Sequence, residues 1–150
     1  MALIADKDRQ FLTDYFSKEV KNPVKIVYFT QHDSPLQVPG QECLYCKETR
    51  ELLEEVSSLS DQIQVETHDF VSEAELAAEY GVDKIPAVVL TGAAKGKVRF
   101  YGIPSGYEFA SLVESIADVS KGTTNLSDAT RTALAALPAP VHIQVFVTPT

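Results

Sequence analysis

Cys43 and Cys46 are the only cysteines in the 150-residue chain, and only Leu44 and Tyr45 separate them. They fall between a strand-like run, Val24–Thr30, and a helix-like run over 47–59. A Cys-x-x-Cys in that context reads as a thiol–disulfide redox site. A spacing of three puts both sulfurs on one face of the first helical turn, within bonding reach. The thiolate, not the thiol, is the nucleophile, and the free N–H groups and dipole of a helix start favour the anion. Cys43, expected at the helix start with its sulfur toward solvent, is the candidate nucleophile. Cys46, expected a turn further on and more buried, is the candidate resolving residue that closes the disulfide and releases the substrate. The surrounding charges pull in opposite directions. Glu42, Glu48 and Glu51 disfavour a thiolate, while Lys47 and Arg50 favour it.

Two other chemistries fit a cysteine pair. A purely stabilising disulfide across so short a loop removes little unfolded-state entropy, roughly 2 kcal/mol at most. A structural zinc site needs four protein ligands. Beyond the cysteines only His32, His68 and His142 are available, none of them in His-x-x-x-His spacing, so no metal or other cofactor is expected. Ile85-Pro86 opens a strand-like run. Proline is tolerated at a strand start, but the sharper reading is a cis peptide bond, since cis bonds are nearly confined to proline and usually serve a purpose. A cis bond there leaves the backbone of Ile85 free to pair with an extended substrate. The candidate substrate contacts are Leu44, Tyr45, Ile85 and Pro86. Tyr15, Phe16, Tyr28, Phe29 and Phe100 read as core.

The composition is that of a globular domain, 45% hydrophobic and 23% charged, and the length suffices for a real core. The net charge of −8, without a basic cluster, argues against nucleic-acid binding. No apolar run approaches a membrane span and no secretory leader is evident, so a cytoplasmic location is expected. A cysteine pair in a reducing compartment is more often redox-active or metal-binding than structural.

The elements that must position the pair follow from periodicity. Residues 6–20 carry Phe11, Leu12, Tyr15 and Phe16 at helical spacing. Val24–Thr30 is β-branched and aromatic, a buried strand. A long polar loop covers 31–42, of a length that often has a function. A helix is expected over 44–59, an alternating strand over 63–70, and a short helix opened by a Ser72–Glu75 capping box and closed by Gly81. Runs at 86–91 and 97–101 form a hairpin, and a helix ending near 119 carries Phe109, Leu112, Val113 and Ile116. This order predicts an α/β fold, a four-stranded mixed sheet flanked by helices on both faces. Residues 120–125 read as a linker, 126–137 as a helix and 140–147 as a strand. That strand repeats the first at a constant offset, in the pairs Pro23/Pro140, Val24/Val141, Ile26/Ile143 and Phe29/Phe146. The expectation is one unit over 1–120, followed over 121–150 by a linker and the first helix and strand of an incomplete second unit.

With Cys43-Leu-Tyr-Cys46, Ile85-Pro86, Tyr101-Gly-Ile-Pro-Ser-Gly-Tyr-Glu-Phe109 and Val145-Phe-Val-Thr-Pro-Thr150 assembled, the chain resembles the thioredoxin superfamily. More narrowly it resembles the N-terminal unit of the glutaredoxin-like protein disulfide oxidoreductases of archaea and thermophilic bacteria, which carry two tandem thioredoxin folds. The resemblance covers the whole chain. It implies a thioredoxin-like fold with an extra C-terminal helix and strand, and a thiol–disulfide oxidoreductase acting on protein disulfides. Cys43 matches the family's nucleophile, Cys46 its resolving cysteine, Pro86 its cis-proline and Ile85 the residue presenting backbone to substrate. It further implies a thioredoxin-reductase-like electron donor, and self-association through the C-terminal strand is a further expectation. Two departures stand out. The loop over 31–42 is longer than the family's approach to the motif, which points to a shielded or reshaped site. A second active site is absent, which implies weak activity for this unit alone, or a non-catalytic role as the substrate-binding or scaffold half of a two-unit protein. No acidic residue stands where thioredoxin has its buried aspartate; Tyr28 lies at about that point.

Overall fold

A computed structural model describes residues 3–31 and 42–147. Strand β1 (Val24–Thr30) has apolar or hydroxyl side chains on both faces, and every residue except Lys25 is buried. Such a strand needs neighbours on both edges and cover on both faces. It obtains the first from β2 (Ile63–Asp69), parallel in register from Val24↔Ile63 to Thr30↔Asp69, and from β3 (Ala87–Thr91), antiparallel with Phe29↔Ala87. Strand β4 (Val98–Tyr101) pairs antiparallel with β3, giving the sheet order β2-β1-β3-β4. The sheet is therefore mixed, as its pattern predicts. The parallel β1–β2 pair requires a crossover, and α2 (Cys46–Ser57) supplies it.

One face of the sheet carries Val24, Ile26, Tyr28, Val88 and Leu90. It is covered by α1 (Asp6–Glu19), α2 and α4 (Tyr107–Lys121) through Leu12, Phe16, Leu53, Val56, Leu112 and Ile116. The other face, with Val27, Phe29, Ala87 and Val89, packs on α3 (Ala74–Tyr80) and Val82. Phe11, expected on the inner stripe of α1, is 67% exposed; Leu12 and Phe16 carry that contact. The N-terminal flank is held as well. The Glu55 carboxylate accepts from the amides of Leu3 and Ile4 and from Arg9, and Ile4 is buried.

Helix α4 extends through Lys121, and the expected linker residue Ser120 is fully buried. Its hydroxyl donates to Asn22 O at 2.7 Å and accepts from Asn22 N, while the Asn22 side chain donates to Ser120 O. This clasp joins the exit of the unit to the entrance of β1. Gly92 closes the same corner. A Cβ there would stand 2.6 Å from Val119 O, so only glycine fits.

Three further expectations are corrected. The Ser72–Glu75 capping box does not form. Asp69 Oδ1 captures the Ser72 hydroxyl and the amides of Val71 and Ser72, and α3 begins after Glu73 with no side-chain cap. Helix α2 starts at Cys46, two residues later than expected, because Tyr45 at φ −120° and ψ 10° is not helical. The C-terminal helix forms as α5 (Asp128–Ala135), capped by Ser127, but residues 141–147 make no strand pairing and are exposed. A strand needs a ladder partner, and none reaches this segment among the described residues. The loop over 31–42 lies outside the described residues from 32 to 41, His32 included.

Candidate functional site

Cys43 and Cys46 form a disulfide, with Cα atoms 5.5 Å apart. Cys43 lies in the turn ahead of α2 and is half-buried, while Cys46 is the first helical residue and is 5% exposed. The expected helix-start position of Cys43 is thus displaced by one turn, but the expected order of burial stands. Between the cysteines, Leu44 and Tyr45 are 75% and 54% exposed.

Both cysteines are tied to β1 or to the residue that follows it. The amide of Cys43 donates to the side-chain oxygen of Gln31 at 3.0 Å. The hydroxyl of Tyr28 donates to the carbonyl of Cys46 at 2.6 Å and lies 3.2 Å from the hydroxyl of Thr30. Tyr28 and Thr30 are both fully buried. They share a sheet face because side chains alternate along a strand. Within α2, the buried Thr49 hydroxyl donates to Tyr45 O at 2.6 Å and steadies the first turn.

The peptide bond Ile85-Pro86 is cis. Ala87 pairs with Phe29, so the cis peptide sits at the sheet end where Gln31 meets Cys43. Gly102, at φ 84°, donates its amide to Pro86 O at 2.9 Å and fastens the loop after β4 to the same end. The positive φ there favours glycine. Of the sequence-derived site residues, Cys43, Leu44, Tyr45 and Cys46 are contiguous in the turn and first residue of α2, and Ile85 and Pro86 lie on the neighbouring strand's entry. Gln31, Thr30 and the hydroxyl role of Tyr28 escaped the sequence reading. Their signal was a pair of hydroxyl residues two apart on a core strand that ends just before the cysteine loop.

The side chains near β2 form a separate cluster. His68 Nδ1 lies 2.8 Å from Glu73, which also accepts from the amide of Asp69. These bonds, the one from His68 first, hold the Glu73 carboxyl below the usual carboxylate range. Among the described residues no group of three or more His, Cys, Asp or Glu side chains is placed to hold a metal ion, and no helix is long and apolar enough to cross a membrane.

Comparison with known proteins agrees with this geometry. The sequence profile of the thioredoxin domain matches residues 35–114. A protein named "Probable Thioredoxin" from Methanothermobacter thermautotrophicus is 38% identical over 77 residues, covering 51% of this chain and 82% of that protein. Among solved structures, the alkylhydroperoxide reductase AhpF of Enterococcus faecalis aligns with a TM-score of 0.73 and 28% identity over 90% of this chain. A protein disulfide oxidoreductase from Aeropyrum pernix aligns with a TM-score of 0.71 and 27% identity over 89% of this chain. The chain spans 61% and 55% of those two structures' lengths. The profile match over more than half of the chain and the relative covered over 82% of its length give the family: the chain belongs to the thioredoxin domain family, as a thioredoxin-like thiol–disulfide oxidoreductase.

Proposed function

We propose that the chain exchanges disulfides with protein substrates, with Cys43 as nucleophile and Cys46 as resolving cysteine. The observation that carries this reading is the difference in burial, Cys43 half-buried and Cys46 almost wholly so. Only the accessible sulfur meets a partner's disulfide without rearrangement. In the reduced state the Cys43 thiolate attacks a substrate sulfur, and the substrate's other sulfur leaves as a thiolate that takes a proton from solvent. Cys46, losing its own proton to solvent, then attacks Cys43 and releases the second substrate thiol. Two electrons pass to the substrate and the protein ends as the observed disulfide. Leu44, Tyr45, Ile85 and Pro86 form the contact surface, with the Ile85 backbone pairing to an extended peptide.

The wider setting is proposed on the same basis. The narrower match is the N-terminal unit of a glutaredoxin-like protein disulfide oxidoreductase, reduced by a thioredoxin-reductase-like donor in the cytoplasm. Support comes from the likeness to the Aeropyrum protein and from both cysteines being committed to one site. Residues 121–150 are assigned to a second unit, supported by the repeated Pro-Val-x-Ile and by the exposure of Val141, Ile143, Val145 and Val147. Those exposed side chains also provide a route to self-association.

The test is alkylation and trapping. In the reduced protein at neutral pH, iodoacetamide should label Cys43 faster than Cys46. Cys43→Ser should abolish reduction of insulin by dithiothreitol through this protein, and Cys46→Ser should accumulate mixed disulfides. Faster labelling of Cys46 reverses the roles. An absence of insulin reduction by the parent leaves only a binding role for this unit.

A further inference from the structure

The end of β1 makes two backbone contacts with the redox motif that the exchange chemistry does not itself require. Tyr28 reaches the carbonyl of Cys46, and Gln31 reaches the amide of Cys43. The two anchors come from residues three apart, Tyr28 in β1 and Gln31 just after its last residue, and they grip the two ends of the four-residue motif. The Cys46 carbonyl can only accept, so in this bond the Tyr28 hydroxyl is the donor. The bond is short and fully buried, away from competing water.

We infer that Tyr28 and Gln31 form a two-point clamp on the motif backbone, and that this clamp sets the redox equilibrium of the Cys43–Cys46 pair. The inference rests on the redox reading of these cysteines given above. Its physical basis is the difference between the two redox forms. In the disulfide, the covalent ring already fixes the backbone between the cysteines, and the clamp restricts little that is not already restricted. In the dithiol, the ring is open and the clamp is what keeps the two sulfurs in ring-closing geometry. Holding reacting groups together raises their effective concentration. The clamp therefore favours the disulfide over the dithiol and speeds the step in which Cys46 attacks a Cys43 mixed disulfide. Tyr28 and Gln31 hold the motif by its backbone, at the Cys46 carbonyl and the Cys43 amide, so both are positioning residues.

The balanced reaction that reads out the clamp is dithiol protein plus oxidised glutathione giving disulfide protein plus two molecules of reduced glutathione. The equilibrium constant of this reaction is measured for the parent, Tyr28→Phe and Gln31→Met. Tyr28→Phe keeps the ring and removes only the hydroxyl. A net hydrogen bond of about 1 kcal/mol corresponds to roughly a fivefold fall in the constant. That equals a rise of about 20 mV in the reduction potential. Gln31→Met should act in the same direction by a smaller factor, because its anchor is only partly buried. In both variants the mixed disulfide with glutathione should persist longer. Urea unfolding of each redox form supplies the control that a merely structural role would fail. Such a role lowers both forms equally and leaves the constant unmoved, whereas the clamp stabilises the disulfide form relative to the dithiol form by the amount read from glutathione. Should Tyr28→Phe not fold, Gln31→Met carries the test alone. An unchanged constant in any folded variant overturns the clamp. If the parent pair itself does not equilibrate reversibly with glutathione, the redox reading falls and takes the clamp with it. If the parent equilibrates and the variants match it, only the clamp falls.

Discussion

The segments 23–30, which holds β1, and 140–147 share proline, valine, isoleucine and phenylalanine at matching positions, yet their surroundings are opposite. Val24, Ile26 and Phe29 are buried in the middle of the sheet, whereas Val141, Ile143 and Phe146 face solvent, Phe146 at 90% exposure. Half of the aligned residues are the same; the neighbours are not. β1 has β2 on one edge and β3 on the other, both supplied by later sequence, while 141–147 has no ladder partner among the described residues. A β-branched and aromatic sequence thus confers a capacity to be a strand, and the rest of the fold decides whether that capacity is used.

Matched substitutions give the hardest test of this contrast. Phe29→Ala removes a fully buried ring and should destabilise the protein by about 3–5 kcal/mol. Phe146→Ala should stay within about 0.5 kcal/mol of the parent. Both are read from urea unfolding midpoints. A loss above about 1 kcal/mol for Phe146→Ala would mean that the tail packs in solution. The contrast is sharpened at the boundary between the two regions. Ser120→Ala breaks the clasp to Asn22 and should cost about 1 kcal/mol, because the part-buried amide and carbonyl of Asn22 lose the Ser120 hydroxyl. A change below about 0.5 kcal/mol there would put the boundary of the folded unit before Ser120.

A smaller effect separates the two flanks by pH. Burial of the Glu55 carboxyl acts to raise its pKa, but the amides of Leu3 and Ile4 and the Arg9 side chain together hold it below the usual carboxylate range. A depressed folded pKa contributes stability above the unfolded value of about 4.3, lost as pH falls through the folded value. Glu55→Gln should therefore flatten the decline in stability below pH ~4.5 and be less stable than the parent at about pH 7. Equal acid profiles would show that the N-terminal flank is not held by this carboxylate. The smallest effect is expected at the other end. Removing residues 123–150, while keeping Gly122 as the cap of α4, should change stability by less than about 0.5 kcal/mol. Loss of cooperative unfolding in that shortened chain would make the tail integral to the unit, and its assignment to a second unit would be withdrawn.

What could be read from the sequence was what is local. The bounds of β1 follow from its composition, and β2, β3 and β4 fall within a residue of their expected limits because each is a short alternating or apolar run between turn residues. The cysteine pair and Ile85-Pro86 were legible for the same reason. The misses are contests between groups that sequence lists without ranking. Ser72 could cap a helix or bond Asp69, and Asp69 prevails by accepting three donors at once. Tyr28 was legible as core, but its hydroxyl meets a carbonyl eighteen residues away, a distance in sequence that no periodicity encodes.

The clasp between Asn22 and Ser120 also carries a consequence in time. Its partners are 98 residues apart in the chain. At the usual pace of synthesis, roughly 5–20 residues per second, Asn22 emerges some ~5–20 s before Ser120 is made. Throughout that interval the most apolar strand of the molecule exists without its full set of neighbours. The chain is therefore most open to aggregation, and to capture by chaperones, while it is still attached to the ribosome.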